Sequence, residues 1–202
     1  MNPTKPAGPA IVIGLLGGIA SGKSWIARAL GEHGFRTIDA DAEAREVCAD
    51  PKILAAIGAR FGSELVEAGL NRPALANLVF QDPVARKDLE AITHPMVRAR
   101  ILALLAEARE AGEPVVLDVP LLLEGGLIEE CDATIFLQVD EKTRQNRAAA
   151  RGWAPEELAR RESSQAPLTE KQARCQFVIH NEGDIDDIQA QISTVISELR
   201  NL

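Results

Sequence analysis

Continuous apolar runs and amphipathic segments follow one another along this chain. Residues 11–16 (IVIGLL), 114–119 (PVVLDV) and 133–139 (ATIFLQV) are mostly apolar and rich in β-branched side chains, which is typical of parallel strands covered on both faces. The segments 35–41 (FRTIDAD) and 175–180 (CQFVIH) fit two further short strands. The pattern predicts an α/β fold built on a five-stranded sheet.

Helical periodicity dominates two other regions. Between residues 52 and 112, the stretches KILAAIGARFGSELVEAGL, RPALANLVF and HPMVRARILALLAEAREAG repeat apolar residues every three or four positions, and almost nothing resembles a strand. We interpret 52–112 as a helical insertion. A C-terminal helix that covers the sheet is predicted from the spacing of Ile185, Ile188, Ile192, Val195, Ile196 and Leu199.

The first ten residues, MNPTKPAGPA, lack periodic apolar positions and predict a flexible tail over 1–10. The apolar run after them has about the length of a signal-peptide core, but only Lys5 precedes it and a glycine loop completes it, so we interpret it as a buried strand. No run reaches the ~18 apolar residues that a membrane span needs, and we expect no membrane association.

Composition narrows the class of partner. The 202 residues are 46% hydrophobic and 26% charged, which suits one domain with insertions or two small ones. A net charge of −8 argues against nucleic-acid binding. The three cysteines are widely spaced, so neither a disulfide framework nor a zinc site is predicted, and a reducing cytoplasm is the expected location. We expect a small-molecule enzyme that is a monomer or a weak homo-oligomer.

The letters GGIASGKS at 17–24 match the phosphate-binding loop G-x-x-x-x-G-K-[ST]. They stand between a predicted strand and a predicted helix, as the motif requires. Backbone N–H groups from Gly18 to Lys23 would hold a polyphosphate, Lys23 would reach the β- and γ-phosphates, and the Ser24 hydroxyl would bind Mg²⁺. The alternative is a glycine-rich turn without a ligand.

Three acids follow predicted strands at the sheet edge where ligands bind. Asp39 and Asp41 end the second strand, and one of them could orient an attacking hydroxyl and accept its proton. Asp41 could instead only cap the following helix. Asp118 ends the third strand and is a candidate Mg²⁺ ligand.

The segment 142–174 carries 8 Lys or Arg against 4 Glu on an acidic chain. If Asp140 caps a helix here, Arg144, Arg147 and Arg151 share one face. Arg144 has Asp140 as a partner, whereas the other two have no acid three or four residues away. Alanines are the helix's only apolar residues, so we predict a lightly anchored lid that closes on the phosphate. The alternative is a solvated helix face.

Two further residues are ambiguous by themselves. His94 could touch a ligand, yet Thr93 as helix N-cap followed by Pro95 explains the same letters structurally. Glu124 is more simply a solvated charge.

Taken together, the motifs resemble the dephospho-CoA kinase family over residues 11–183. GLLGGIASGKS resembles its phosphate loop, TIDADAEAR its I-D-A-D-x-x-A-R segment, ITHP its L-x-H-P and VVLDVPLLLEGGL its V-P-L-L-x-E stretch. SSQAPLTEKQARCQFVIHNEG is similar to its Q-x-P-L-x-x-K through V-I-x-N-x-G ending.

The resemblance implies a P-loop NTPase core with a parallel five-stranded sheet, a helical CoA-binding domain and a helical lid. The core would comprise 11–51, 113–140 and 176–202, the CoA-binding domain 52–112, and the lid 141–175. It implies Mg²⁺-dependent transfer of the ATP γ-phosphate to the ribose 3′-hydroxyl of dephospho-CoA.

The same resemblance implies roles for individual residues. Asp41 would be the catalytic base, with Lys23 and the lid residue Arg147 also catalytic, and Arg151 and Asn181 would contact the nucleotide. The acceptor side would comprise Asp39, Arg45, His94, Pro120, Leu122 and Glu124. The nucleotide would be held by Gly17, Gly18, Ile19, Ala20, Ser21, Gly22, Lys23, Ser24 and Trp25.

Four positions depart from the family pattern. Ala20 replaces a frequent Gly, and Trp25 stands where Thr is common. Gln176 and His180 each replace a frequent Asp, which puts the adenine contacts near Asn181 in doubt.

Two rival functions would also use a phosphate loop, and each can be compared with the other motifs. A uridine-kinase-like enzyme would share the loop but would not explain the H-P, V-P-L-L-x-E and Q-x-P-L elements together. A GTP-dependent switch would carry an N-K-x-D guanine reader, which this sequence lacks.

Overall fold

A five-stranded parallel sheet forms the centre of the structure, a computed structural model that describes residues 10–200. The strand order is β2-β3-β1-β4-β5, and the predicted sheet and α/β class are confirmed. The tail predicted over 1–10 falls, apart from Ala10, outside the described residues. The strands are β1 (Val12–Gly17), β2 (Arg36–Asp39), β3 (Val115–Asp118), β4 (Ala133–Gln138) and β5 (Phe177–His180).

Nine α-helices alternate with or follow these strands along residues 10–200. Two short 3-10 turns, Ser63–Leu65 and Leu127–Glu130, accompany them. The helices are α1 (Lys23–Glu32), α2 (Ala40–Val47), α3 (Pro51–Phe61), α4 (Arg72–Gln81), α5 (Pro83–Ala111), α6 (Glu141–Ala150), α7 (Pro155–Glu162), α8 (Leu168–Ala173) and α9 (Ile185–Leu199).

The central strands of the sheet are buried, which explains why their sequences are continuous apolar runs. β1 pairs with β3 on one side and β4 on the other, and all six of its residues are buried. Side chains of α1 and α9, such as Leu30 and Ile192, pack into one cluster with Ile13 and Ile135. The predicted C-terminal helix is therefore present, but Ile185, in its first turn, is 64% exposed and does not join the core.

The chain divides into two compact units. One comprises residues 39–106 and contains α2, α3 and α4, with a hydrophobic core of its own formed by Val47, Ile53, Ile57, Leu65 and Leu75. The other comprises the remaining described residues and contains the phosphate loop and helices α6 to α9. The functional limits of the helical insertion, 52–112, and of the lid, 141–175, remain predictions.

Two local expectations are wrong. The periodic stretch after residue 52 does not continue as a helix to Leu70, because α3 ends at Phe61 and Gly62 follows with a φ of 118°, a left-handed conformation that favours glycine. Thr93 does not begin a helix. It lies inside the 29-residue α5, and its hydroxyl donates to the carbonyl oxygen of Leu89 at 2.8 Å.

Within residues 10–200, none of the helices combines the length and the apolar character that a bilayer span requires.

Candidate active site

The phosphate loop connects the end of β1 to the start of α1. Gly22, with a φ of 90°, precedes α1 and leaves its N-terminus without a side-chain cap. No hydrogen bond to another described residue is made by the backbone N–H groups of Ile19, Ala20, Gly22, Lys23 and Ser24. Because these N–H groups are unpaired at the positive end of a helix, the loop fits a polyphosphate.

The loop is held from the lid side by Arg147, on α6. Its Nη1 donates to the carbonyl oxygens of Ser21 (3.3 Å) and Ala20 (3.5 Å), and its Nη2 donates to that of Asn181 (2.7 Å). Arg147 therefore has backbone partners, although the sequence offers it no neighbouring acid. Its predicted catalytic role stays a prediction.

Asn181 completes this support. Its Nδ2 donates to the Ser21 carbonyl at 2.6 Å, and the side chain is buried. A Cβ atom added at Gly22 would lie 2.4 Å from the same Nδ2, so the glycine is required there by space as well as by its φ. The described contacts of Asn181 thus shape the loop, and its predicted role in adenine binding is not tested by them.

Arg144 is buried against the first residues of the loop. Its Cδ and Nη1 would each lie 2.9 Å from a Cβ added at Gly18, and its guanidinium pairs with Glu162 at the end of α7. The expectation that Asp140 is its partner is wrong. Asp140 caps α6 instead, and hydrogen bonds from the hydroxyl and the N–H of Thr143 lower the pKa of Asp140 to about 2.

Apolar contacts also join the lid helices to the loop. Ala148 and Leu158 form a cluster with Ala20, against which Ile19 and Trp153 pack. The lid is therefore anchored more firmly than the alanine-rich sequence of α6 predicts, because α7 and Trp153 supply the apolar surface that α6 lacks.

Arg151 is the lid arginine with the fewest constraints. It follows α6 directly, its side chain is exposed, and it forms no salt bridge with any described residue. Its guanidinium lies 6.0 Å from the centroid of the Trp153 ring, while that of Arg161 lies 4.3 Å from the same ring.

Lys23 provides the central positive charge of the loop. Its Nζ lies 3.3 Å from the carbonyl oxygen of Gly18. Burial, together with the charge of Lys171, lowers the pKa of Lys23 to about 8, against the opposing effect of Asp118 and Glu124. An anionic ligand would restore its full charge.

The oxygen atoms near the loop suit a magnesium ion bound together with phosphate. The Ser24 side chain is exposed at the start of α1, and Asp118 is buried at the end of β3 with no hydrogen bond to another described residue. Within residues 10–200, no group of three His, Cys, Asp or Glu side chains forms a metal site. Mg²⁺ would complete its coordination with phosphate oxygens and water, as it usually does.

A small cleft opens beside Lys23. Leu122 contributes to its wall. The residue is only 2% exposed, because its side chain packs against Gly14 of β1. Three predicted acceptor residues line this cleft, and the full set of lining residues is Leu15, Leu16, Gly17, Lys23, Val119, Pro120, Leu122, Leu123, Glu124 and Lys171.

Lys171 is a member of this cleft that the sequence analysis did not single out. Its Nζ lies 3.3 Å from Oε1 of Glu124 and 2.7 Å from Oε1 of Gln165. The Q-x-P-L-x-x-K motif contains both Gln165 and Lys171, so the motif could have indicated this pair from the sequence. Glu124 is therefore an exposed charge that is paired, and not one surrounded by solvent alone.

The acids of the 39–106 unit are positioned locally. Asp39 caps α2: its Oδ1 accepts the N–H groups of Asp41 (2.8 Å) and Ala42 (3.2 Å). The alternative in which Asp41 is the cap is therefore wrong. Asp41, Arg45 and His94 have exposed side chains in this unit, and their predicted functions stay predictions.

The remaining departures from the family pattern are structural. Trp25 packs partly buried against the core, and Oε1 of Gln176 accepts both the N–H and the hydroxyl of Thr134 at 2.7 Å. The backbone of His180 exchanges hydrogen bonds with the side chain of Gln191. Gln176 thus joins β5 to β4.

Comparison with known proteins gives consistent results. A family model described as dephospho-CoA kinase matches residues 11–187. Dephospho-CoA kinase of Deinococcus radiodurans is 40% identical over 199 residues, which cover 98% of this chain and 96% of that protein. The enzyme of Geobacter sulfurreducens is 41% identical over 191 residues, covering 91% of this chain and 96% of its own.

Solved structures agree with this assignment. A dephospho-CoA kinase from Campylobacter jejuni is similar with a TM-score of 0.71 at 25% identity, covering 93% of this chain and 96% of that one. Shikimate kinase from Acinetobacter baumannii, at 14% identity and a TM-score of 0.53, shares the fold alone. Since the family model spans most of the chain and about 40% identity extends over nearly its full length, this chain belongs to the dephospho-CoA kinase family.

Proposed function

We propose that this protein is an ATP-dependent kinase that phosphorylates the ribose 3′-hydroxyl of 3′-dephospho-CoA and releases CoA and ADP. The observation that carries the proposal is the unpaired N–H groups of the phosphate loop beside Lys23, in a chain of this family. The reaction is the final step of coenzyme A biosynthesis.

The donor half of the site follows from the loop. The unpaired N–H groups of the loop, those of residues 19, 20 and 22–24, hold the β- and γ-phosphates. Lys23 neutralises the charge that accumulates as the γ-phosphate leaves. Ser24 and Asp118 would hold Mg²⁺, which would neutralise part of the charge of the bound polyphosphate.

The acceptor half is assigned to the acids and to the cleft. Asp41 orients the 3′-hydroxyl and accepts its proton, while Asp39 holds the first turn of α2 in place. Little proton removal is needed early in a loose phosphoryl-transfer transition state, so Asp41 first orients the hydroxyl and accepts its proton later in the transfer. Binding of dephospho-CoA is assigned to Asp39, Arg45, His94, Pro120, Leu122 and Glu124.

The two lid arginines have different tasks in this proposal. Arg147 is committed to the carbonyls of the loop and fixes the loop's shape. Arg151, exposed and without a salt bridge in the described chain, contacts the transferred phosphate.

We also propose a cytoplasmic location, which the three unpaired cysteines suit, and a monomer or weak homo-oligomer that binds small molecules rather than nucleic acid.

The test is Mg²⁺-dependent ADP formation from ATP by the purified protein. We expect turnover with dephospho-CoA and none with a free nucleoside at the same concentration. ADP release that rises with the nucleoside and not with dephospho-CoA would show that the acceptor is wrong.

Lys23→Ala should lower kcat/KM by roughly 1,000-fold, because the side chain acts on charge that develops in the transition state. Arg28→Ala, on the exposed side of the same helix, is the matched control and should leave turnover unchanged. A similar loss in both variants would mean that damage to α1, and not loss of the loop ammonium, explains the effect.

A further inference from the structure

Lys171 is a buried cation that the proposed mechanism does not use. It lies on α8, is 3% exposed, and lines the same cleft as Lys23 and Glu124. A buried ammonium group loses most of its hydration, so it needs partners of fixed geometry. Its partners here are Glu124 and Gln165.

The contacts of Lys171 connect two segments that are distant in the chain. Oε1 of Glu124 accepts the backbone N–H of Ala166 at 2.7 Å and also lies 3.3 Å from the Lys171 ammonium. The same ammonium donates to Gln165, and the Lys171 N–H donates to the carbonyl of Pro167 at 3.0 Å. One carboxylate oxygen thus joins the loop after β3 to the segment 165–168.

Segment 165–168 is where the lid region returns to the core. It follows α7, whose last residue, Glu162, pairs with the buried Arg144, and it leads into α8. The Glu124 loop follows Asp118 of β3. Lys171 therefore fastens the end of the lid region to the wall of the cleft beside the loop lysine.

Stability alone does not account for a charge at this position. A methionine would fill similar space without losing hydration, and replacement of buried ion pairs by apolar side chains is often neutral or stabilising. What the ion pair adds is geometry, because an ammonium group with two acceptors fixes where the carboxylate lies.

We propose that Lys171 is a positioning residue for the acceptor: its ammonium holds the Glu124 carboxylate and segment 165–168 together, and so fixes the cleft wall against which the acceptor ribose is placed. The kinetic part of this inference rests on the proposed function, in which Glu124 binds dephospho-CoA. The structural part, the fastening of segment 165–168, does not.

The first experiment measures hydrogen exchange of full-length Lys171→Met. Without the ammonium, the Glu124 carboxylate is no longer held in one position. The Ala166 N–H, which donates a hydrogen bond to that carboxylate, should therefore exchange about tenfold faster than in the wild type. Lys142→Met, an exposed lysine of the lid helix α6, is the matched control and should leave that exchange unchanged. Equal exchange in wild type and Lys171→Met would overturn the proposal.

The second experiment separates KM from kcat. Lys171→Met and Glu124→Ala should each raise KM for dephospho-CoA about tenfold while KM for ATP changes less than about twofold. The double variant should resemble the worse single variant, because both changes break one interaction. Equal rises in both KM values, or additive effects in the double variant, would contradict a positioning role.

Folding failure of one variant does not remove the test. Lys171→Arg retains the positive charge, and Glu124→Ala removes the carboxylate from the exposed side of the pair. If the wild type forms no ADP with dephospho-CoA, the proposed function fails, while exchange at Ala166 still decides whether Lys171 fastens segment 165–168.

Discussion

The phosphate loop and the acid segment 39–45 each carry half of the proposed chemistry, and they are held in different ways. The loop is supported by Arg147 and Asn181, whose contacts with Ser21 span 126 and 160 positions of the chain. The first turn of the acid segment is fixed by Asp39, whose side chain accepts N–H groups two and three residues further on, and the rest of the segment is held by Arg72 and Arg100 of the same unit.

The difference predicts how each half responds to substitution. The turn that carries Asp41 depends on its helix cap and on contacts within residues 39–106, so changes in the lid should leave Asp41 in place. A conformation set by distant side chains depends on those side chains, so changes in the lid should alter ATP binding. Substitutions in the two regions should therefore affect different kinetic constants.

Of the substitutions that test this difference, Asp41→Asn has the largest expected effect. The amide cannot accept the hydroxyl proton, so kcat should fall by roughly 100-fold or more with KM for ATP within about twofold of the wild type. ADP formation under saturating dephospho-CoA measures this. Glu46→Gln, an exposed acid later on the same helix, is the control. A kcat within about threefold of the wild type would remove Asp41 from the chemistry.

Asp39→Asn sharpens the same comparison. Asparagine caps helices about as well as aspartate, so a residue that only caps should tolerate the change in both melting temperature and kcat. A fall in kcat at unchanged melting temperature would assign Asp39 part of the acceptor chemistry instead.

A smaller effect is expected from Arg147→Ala. The variant loses hydrogen bonds to three backbone carbonyls, at a cost of about 2 kcal/mol, and the melting temperature should fall by about 4 to 8 °C. Because the loop loses its support, KM for ATP should rise about tenfold. Calorimetry and steady-state kinetics measure the two changes.

Arg147→Lys and Arg151→Ala distinguish support from charge. A lysine cannot reproduce the fork that contacts Ser21 and Asn181, so Arg147→Lys should resemble Arg147→Ala. Arg151→Ala should lower kcat without a change in melting temperature, since its side chain is exposed. Full recovery in Arg147→Lys would show that the charge of Arg147, and not its geometry, is what the reaction requires.

Sequence reasoning predicted most features that depend on neighbouring residues, although the helix start at Thr93 was wrong. The five strands are found where apolar runs predict them, and Asp140 caps the lid helix as its position indicates. The loop lies between β1 and α1, as its motif requires. Each of these features is determined by periodicity, capping or motif spacing, all of which are local.

Contacts between distant segments were not predictable in the same way. The partner of Arg144 is Glu162, 18 positions away on another helix, rather than Asp140 at helical spacing. Lys171 meets Glu124 only because α8 packs beside the loop after β3. Nothing in the spacing of these residues records that packing, so a search of one helix face at a time misses both pairs.

The smallest effect is expected at Ala20, where the loop departs from the family's frequent glycine. Its φ of 61° costs an alanine about 1 kcal/mol, and Ala20→Gly relieves this. The glycine also gains flexibility in the unfolded chain and removes a methyl group that packs near Ala148 and Leu158, which together cost a similar amount. The melting temperature should therefore change by less than about 2 °C.

KM for ATP should stay the same in Ala20→Gly, because the N–H groups that bind phosphate belong to the backbone. Ala20→Val, with a branched side chain at the same positive φ, should instead lower the melting temperature by several degrees. A clear loss of ATP binding in Ala20→Gly would mean that the contact of this methyl group with the lid, and not the distant hydrogen bonds alone, sets the shape of the loop.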